Sequence, residues 1–159
     1  MTGSGVYRVQ LADFPGVWRV RNAACVGSPT AEALMHPGAG AGGGVWQIDY
    51  WFDPCTGAPQ RHVTLPGHLD VDQAAARAVE LVDAAALGVP GYDELLGAAM
   101  RVHDHLAELV RLHRPYRDPT YGVVCVGDVL DEPRDRDRVV WPCRTAATSA
   151  LLLDVRLPR

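Results

Sequence analysis

Four residues in the last third of the chain are of types that hold metals or do nucleophilic chemistry: His113, Cys125, Asp128 and Cys143. Eleven, two and fourteen residues separate them in turn. Ligands on separate short elements, gathered by turns, are what a small zinc knuckle needs. Cys143 follows Trp141-Pro142 and opens an apolar run that reads as a helix. The free amides and dipole at a helix N-terminus favour a thiolate, the form that binds zinc. Asp128 stands three residues after Cys125, across Val126-Gly127, which is knuckle spacing with an oxygen donor in the second place. Zinc accepts a carboxylate there, although a thiolate makes the stronger structural site. The set predicts a structural zinc ion held by His113, Cys125, Asp128 and Cys143.

Two other readings use the same residues. Alone, His113 at the end of an apolar helix face reads as a core histidine with one hydrogen-bond partner, and the two cysteines are what turn it into a ligand. Cys143 as nucleophile, His113 as base and Asp128 as orienting group would instead make a cysteine-dependent hydrolase. That arrangement leaves Cys125 without a role.

The tail resembles one found in small uncharacterised proteins of actinobacteria and their phages. There the pattern is Leu-His-Arg/Lys-Pro, then Cys-x-x-Cys, then Trp/Tyr-Pro-Cys-x-Thr with a closing helix. Here it runs Leu112-His113-Arg114-Pro115, Cys125-Val126-Gly127-Asp128 and Trp141-Pro142-Cys143-Arg144-Thr145. The first and last pieces match, and in the middle Asp128 replaces the second cysteine. The resemblance implies a zinc-knuckle-like tail and carries no activity with it.

The elements that must position these residues are read from period and punctuation. Val6–Leu11 and Val17–Arg21 alternate apolar and polar side chains around Asp13-Phe-Pro-Gly16, which predicts a hairpin. Ser28-Pro-Thr-Ala-Glu-Ala-Leu-Met35 carries a helix start, with a Ser cap and Pro at the first helical position. Gly38–Gly44 is predicted to be a flexible loop. It lacks the Lys-Ser/Thr of a phosphate cradle and leads into a strand. Val45–Phe52 is rich in aromatic and β-branched residues and reads as the strongest strand, with Gln60–Leu65 returning beside it. From Asp70 the period turns helical, with Gln73 completing a capping box and a stripe of Ala74, Ala78, Leu81, Val82 and Ala85. A second helix is expected from about Asp93 to Arg114, with Leu95, Val102, Leu106, Leu109 and His113 on one face. Pro115 cannot continue it. Arg144 to about Val155 reads as a last helix docking through Ala147, Leu151 and Leu152.

The expected fold is α+β: a three- or four-stranded antiparallel sheet in residues 1–67, an antiparallel helix pair in 68–115 packed on it, and the knuckle-like tail and short terminal helix in 116–159. A chain of 159 residues fits a single domain. An apolar fraction of 48% with 21% charged residues is that of a globular protein rather than a disordered one. All fifteen basic residues are arginine and the net charge is −4, which disfavours a nucleic-acid partner held by a broad cationic face. Met1–Arg8 has neither a basic nor an apolar leader region, and no run reaches membrane-span length, so a cytoplasmic protein with no membrane partner is expected. Four cysteines there read as thiols or metal ligands. Cys25 and Cys55 are expected free. His62 and His68 read as exposed polar residues, and His103 and His105 as pointing to different faces of one helix. Trp18, Trp46 and Trp51 suit a sheet core. With no complete catalytic pattern elsewhere, the functional expectation is a small binding or accessory module, regulatory or phage-related, with a protein partner.

Overall fold

The computed structural model describes residues 6–22, 32–40, 43–51, 61–126 and 139–158. The chain divides into two compact units, residues 1–88 and 89–159, with the boundary inside the Gly88-Val-Pro-Gly91 connection.

The first unit is an antiparallel sheet backed by one helix. Its strands are β1 (Val6–Gln10), β2 (Trp18–Asn22), β3 (Glu32–Gly40), β4 (Gly43–Trp51) and β5 (Arg61–Pro66), and they lie side by side in chain order. The α+β class follows directly. Hydrophobic alternation sets the register: Val20, Ala33 and Tyr50 stand in one row, Met35, Ile48 and Val63 in the next, and all six are buried. Helix α1 (Val71–Ala86) lies against β1 to β4 and covers that face. Its start is as expected, with the Gln73 amide donating to Asp70 Oδ1 at 2.8 Å and the Asp70 amide donating to Gln73 Oε1 at 3.0 Å. The buried stripe is alanine-rich at Ala74, Ala75 and Ala78, which lets the helix approach the strands closely, and Leu81 and Val82 fill the remaining space. At one edge, the Arg8 guanidinium lies over the Trp18 ring at 5.2 Å and bonds Asp72 of α1 at 2.8 Å.

Two expectations for this unit are corrected. The helix expected over Ser28–Met35 is, where described, the strand β3, and this strand raises the sheet to five. A helix-start signature is worth about a kilocalorie per mole. Pairing on both sides outweighs it, because Met35 is opposite Trp18 of β2 and Ile48 of β4 at once. The glycine-rich loop is also largely strand, with Gly38 paired to Val45, Ala39 to Gly44 and Gly40 to Gly43. Small residues matter here for close approach. A Cβ on Gly67, just past β5, would fall 1.8 Å from the Gly44 carbonyl oxygen.

The second unit holds α2 (Tyr92–Val102), α3 (Asp104–Leu112), a hairpin of β6 (Pro115–Asp118) and β7 (Gly122–Cys125), and α4 (Arg144–Leu152). The single helix expected from Asp93 to Arg114 breaks at His103, which is extended (φ −167°, ψ 141°) and caps α3 by accepting the His105 amide at 3.1 Å. An extended residue resets the helical phase, so the expected stripe does not run through. Leu95 is buried, whereas Val102 and Leu109 are exposed. The α4 helix docks through Ala146, Ser149 and Ala150 rather than through Ala147, Leu151 and Leu152, and Leu151 is 80% exposed. The buried N-cap Cys143 sets that rotation, because residues 143, 146 and 150 form one helical stripe.

Candidate metal centre

His113, Cys125 and Cys143 come together within the second unit. Cys125 Sγ and Cys143 Sγ are 3.1 Å apart, and His113 Nδ1 is 3.5 Å from each. Both sulfurs belong to buried cysteines that form no disulfide, and His113 is half-buried beside them. Among the described residues these three side chains form the group whose ligand atoms converge, all within 4.8 Å of one another.

Each ligand is delivered by a chain reversal. His113 is the C-cap of α3, with its amide still bonded to Leu109 O at 3.1 Å, so its position follows from where that helix stops before Pro115. The chain then turns through β6 and back along β7. Asp118 makes that turn, its carboxylate accepting the amides of Thr120 at 2.8 Å and Tyr121 at 3.0 Å, and Gly122 takes the left-handed conformation (φ +79°) that follows. The register places Cys125 opposite Pro115, two residues past His113. Val140 bridges to Val124, with the Cys125 amide bonded to Val139 O at 2.9 Å and the Trp141 amide to Val123 O at 3.0 Å. That third strip delivers Cys143 as the N-cap of α4. Its sulfur makes no capping bond to the helix, while its carbonyl accepts from Ala147. Trp141, buried and edge-on to Tyr92 at 5.6 Å, anchors the strip two residues before the ligand.

The donor set fits a tetrahedral metal. Bonds of about 2.3 Å to sulfur and 2.0–2.1 Å to nitrogen give edges of about 3.8 Å between sulfurs and 3.6 Å between sulfur and nitrogen. The observed nitrogen–sulfur separations match, and the sulfurs stand a little closer than that. The cluster can therefore hold a metal ion with small side-chain movements.

The structure brings three of the four candidate ligands, His113, Cys125 and Cys143, together, and Asp128 lies outside the described residues, as do Cys25 and Cys55. What sequence reading missed was the delivery. Asp118 and Gly122 carry a turn signal around Pro119-Thr-Tyr that would have predicted the hairpin. His62 and His68 are exposed as expected, and His62 pairs with Asp49 across β4 and β5 at 2.8 Å. His103 and His105 do not point to different helix faces, since the break at His103 stacks their rings at 5.0 Å. Trp18, Trp46 and Trp51 are half-buried, with Trp46 Nε1 donating to Leu69 O at 2.8 Å.

No family model, curated protein or solved structure matches the chain. No helix among the described residues is long and apolar enough to cross a membrane.

Proposed function

We propose that this chain is a small cytoplasmic binding or accessory module whose C-terminal unit is folded around a structural zinc ion. The observation that carries the metal is the convergence of one imidazole nitrogen and two thiol sulfurs within 4.8 Å, on three separate elements. Two sulfurs and one imidazole are donors that zinc accepts readily, whereas calcium and magnesium prefer oxygen. Asp128 is the proposed fourth ligand, by its spacing from Cys125 and by the resemblance of the tail to zinc-knuckle-like tails of actinobacterial and phage proteins. A closed set of four protein ligands is structural, and it leaves a binding role, with a protein partner and regulatory or phage-related, as the function. Two buried cysteines held as thiols 3.1 Å apart accord with a reducing compartment.

The test is native mass spectrometry with metal analysis on freshly purified protein. About one zinc ion per chain is expected, released at low pH as the ligands take up protons. Protein that folds and melts identically with and without added zinc would remove the proposal.

A second reading rests on the 3.5 Å separation of Cys143 Sγ from His113 Nδ1, which is the contact a cysteine hydrolase needs. Iodoacetamide distinguishes the two. A structural centre shields Cys125 and Cys143 together until chelator is added, with Cys25 and Cys55 labelling first. A catalytic Cys143 labels fast and alone, with no chelator present.

A further inference from the structure

Resting on the metal reading, we infer that the centre is also a peroxide-responsive switch, in which Cys125 and Cys143 close to a disulfide and release the ion. The 3.1 Å between the sulfurs lies between two bonded states. A tetrahedral zinc would hold them about 3.8 Å apart, and a disulfide about 2.05 Å. Each state is reached by a displacement of about 1 Å or less. Nothing covalent stands between the two sulfurs, and each sits at the end of an element rather than within one: Cys125 closes β7 and Cys143 caps α4.

The composition of the site makes the switch complete. Its described donors are two thiols and one imidazole, so a single disulfide removes both sulfur ligands at once. A site of four cysteines would keep two thiolates after the same event. Burial selects the oxidant. Cys125 is fully buried and Cys143 is 2% exposed, so an oxidant meets the sulfurs only through local opening of the hairpin or the α4 start. A small peroxide needs a far smaller opening than a bulky disulfide such as oxidised glutathione.

The chemistry balances with hydrogen peroxide as the two-electron oxidant. One thiolate sulfur attacks an oxygen of the peroxide, the S–O bond forms, the O–O bond breaks and hydroxide leaves. The second thiolate attacks that sulfenic sulfur, the S–S bond forms, the S–O bond breaks and a second hydroxide leaves. Two thiols and one peroxide give one disulfide and two waters, and a dithiol reductant reverses the change. With both thiolates gone, the remaining donors, His113 among them, hold zinc far more weakly.

The experiment uses the full chain loaded with zinc, titrated with hydrogen peroxide while a chromogenic chelator reports the released metal. Trypsin cuts after Arg117, Arg138 and Arg144, which places Cys125 and Cys143 in separate peptides, so their cross-link is seen directly by mass. Zinc release should rise in step with the Cys125–Cys143 cross-link, with loss of two hydrogens and no added oxygen. Dithiothreitol with fresh zinc should restore both, and oxidised glutathione should act far more slowly. Release accompanied by sulfinate on unlinked cysteines, or by a link to Cys25 or Cys55, would overturn the switch while leaving the metal reading intact. Retention of zinc by cross-linked protein would do the same. Protein that takes up no zinc before any peroxide is added defeats the metal reading, and the switch with it, at an earlier and separate step.

Discussion

At the residue scale the interest lies in how two sulfurs and a ring nitrogen share one small volume. Cys125 and Cys143 are buried within hydrogen-bonding reach of each other and of His113. A soft donor set of this kind is incomplete at three, and Asp128 is the proposed fourth. If so, Asp128→Cys should raise zinc affinity, because thiolate donates more strongly than carboxylate to a borderline-soft ion. Melting temperature in the presence of zinc should rise with it, since metal binding is linked to folding. Competition with a chromogenic chelator measures the first, and an affinity equal to the parent's would take Asp128 out of the centre. Cys143→Ser should weaken the metal further than Asp128→Ala does. It removes a thiolate whose residue is also the buried N-cap from which α4 takes its rotation.

At the element scale, strand β3 is where local preference and tertiary pairing conflict most openly. A helix over this stretch would bury residues three and four apart. The strand buries Ala33 and Met35 and turns Leu34 to the other face, where it is only half-buried. Met35→Ala should therefore cost about 2–5 kcal/mol of stability, from lost transfer energy and the cavity left behind, and Leu34→Ala clearly less. Urea unfolding of the two variants checks this, and equal losses would contradict the strand register. The exposed leucines of α4 give the opposite expectation. Leu151 is 80% and Leu152 75% exposed, so alanine at either position should stay within about 0.5 kcal/mol of the parent.

At the scale of the whole molecule, the two units hold different kinds of cohesion. Residues 1–88 have a five-stranded sheet and a helix with a continuous buried face of their own. Residues 89–159 bury an apolar core along α2 and α3, and their short strands of four residues each meet the start of α4 at the cluster of His113, Cys125 and Cys143. Removing the proposed zinc ion should therefore act locally. Hydrogen exchange after chelation should speed up at the amides of Cys125, Val126 and Trp141, which bond across the hairpin, its α3 end and the third strip. Amides paired between β3 and β4 should keep their protection. Uniform loss of protection across both groups would show that the ion supports the entire chain rather than its second unit.

What the sequence alone determined about this protein is what depends on near neighbours. The capping box at Asp70 and Gln73, the alanine stripe of α1, the stop at Pro115 and the ligand types at 113, 125 and 143 are all local, within a turn or two of the residues that signal them. The alternation along β4 and β5 was equally plain, because a half-buried strand carries its own period of two. Tertiary structure decided the rest. Met35 is a strand residue because Trp18 and Ile48, seventeen and thirteen positions away, flank it. The long helix breaks because His103 can cap a new one, and Leu151 stays exposed because Cys143 turns α4 the other way. The convergence of His113 with two sulfurs needed a reversal at Asp118–Gly122 and a bridge from Val124 to Val140. Residue type sets which atoms are able to hold a metal, but only pairing between distant segments sets the few ångströms that let them do so together.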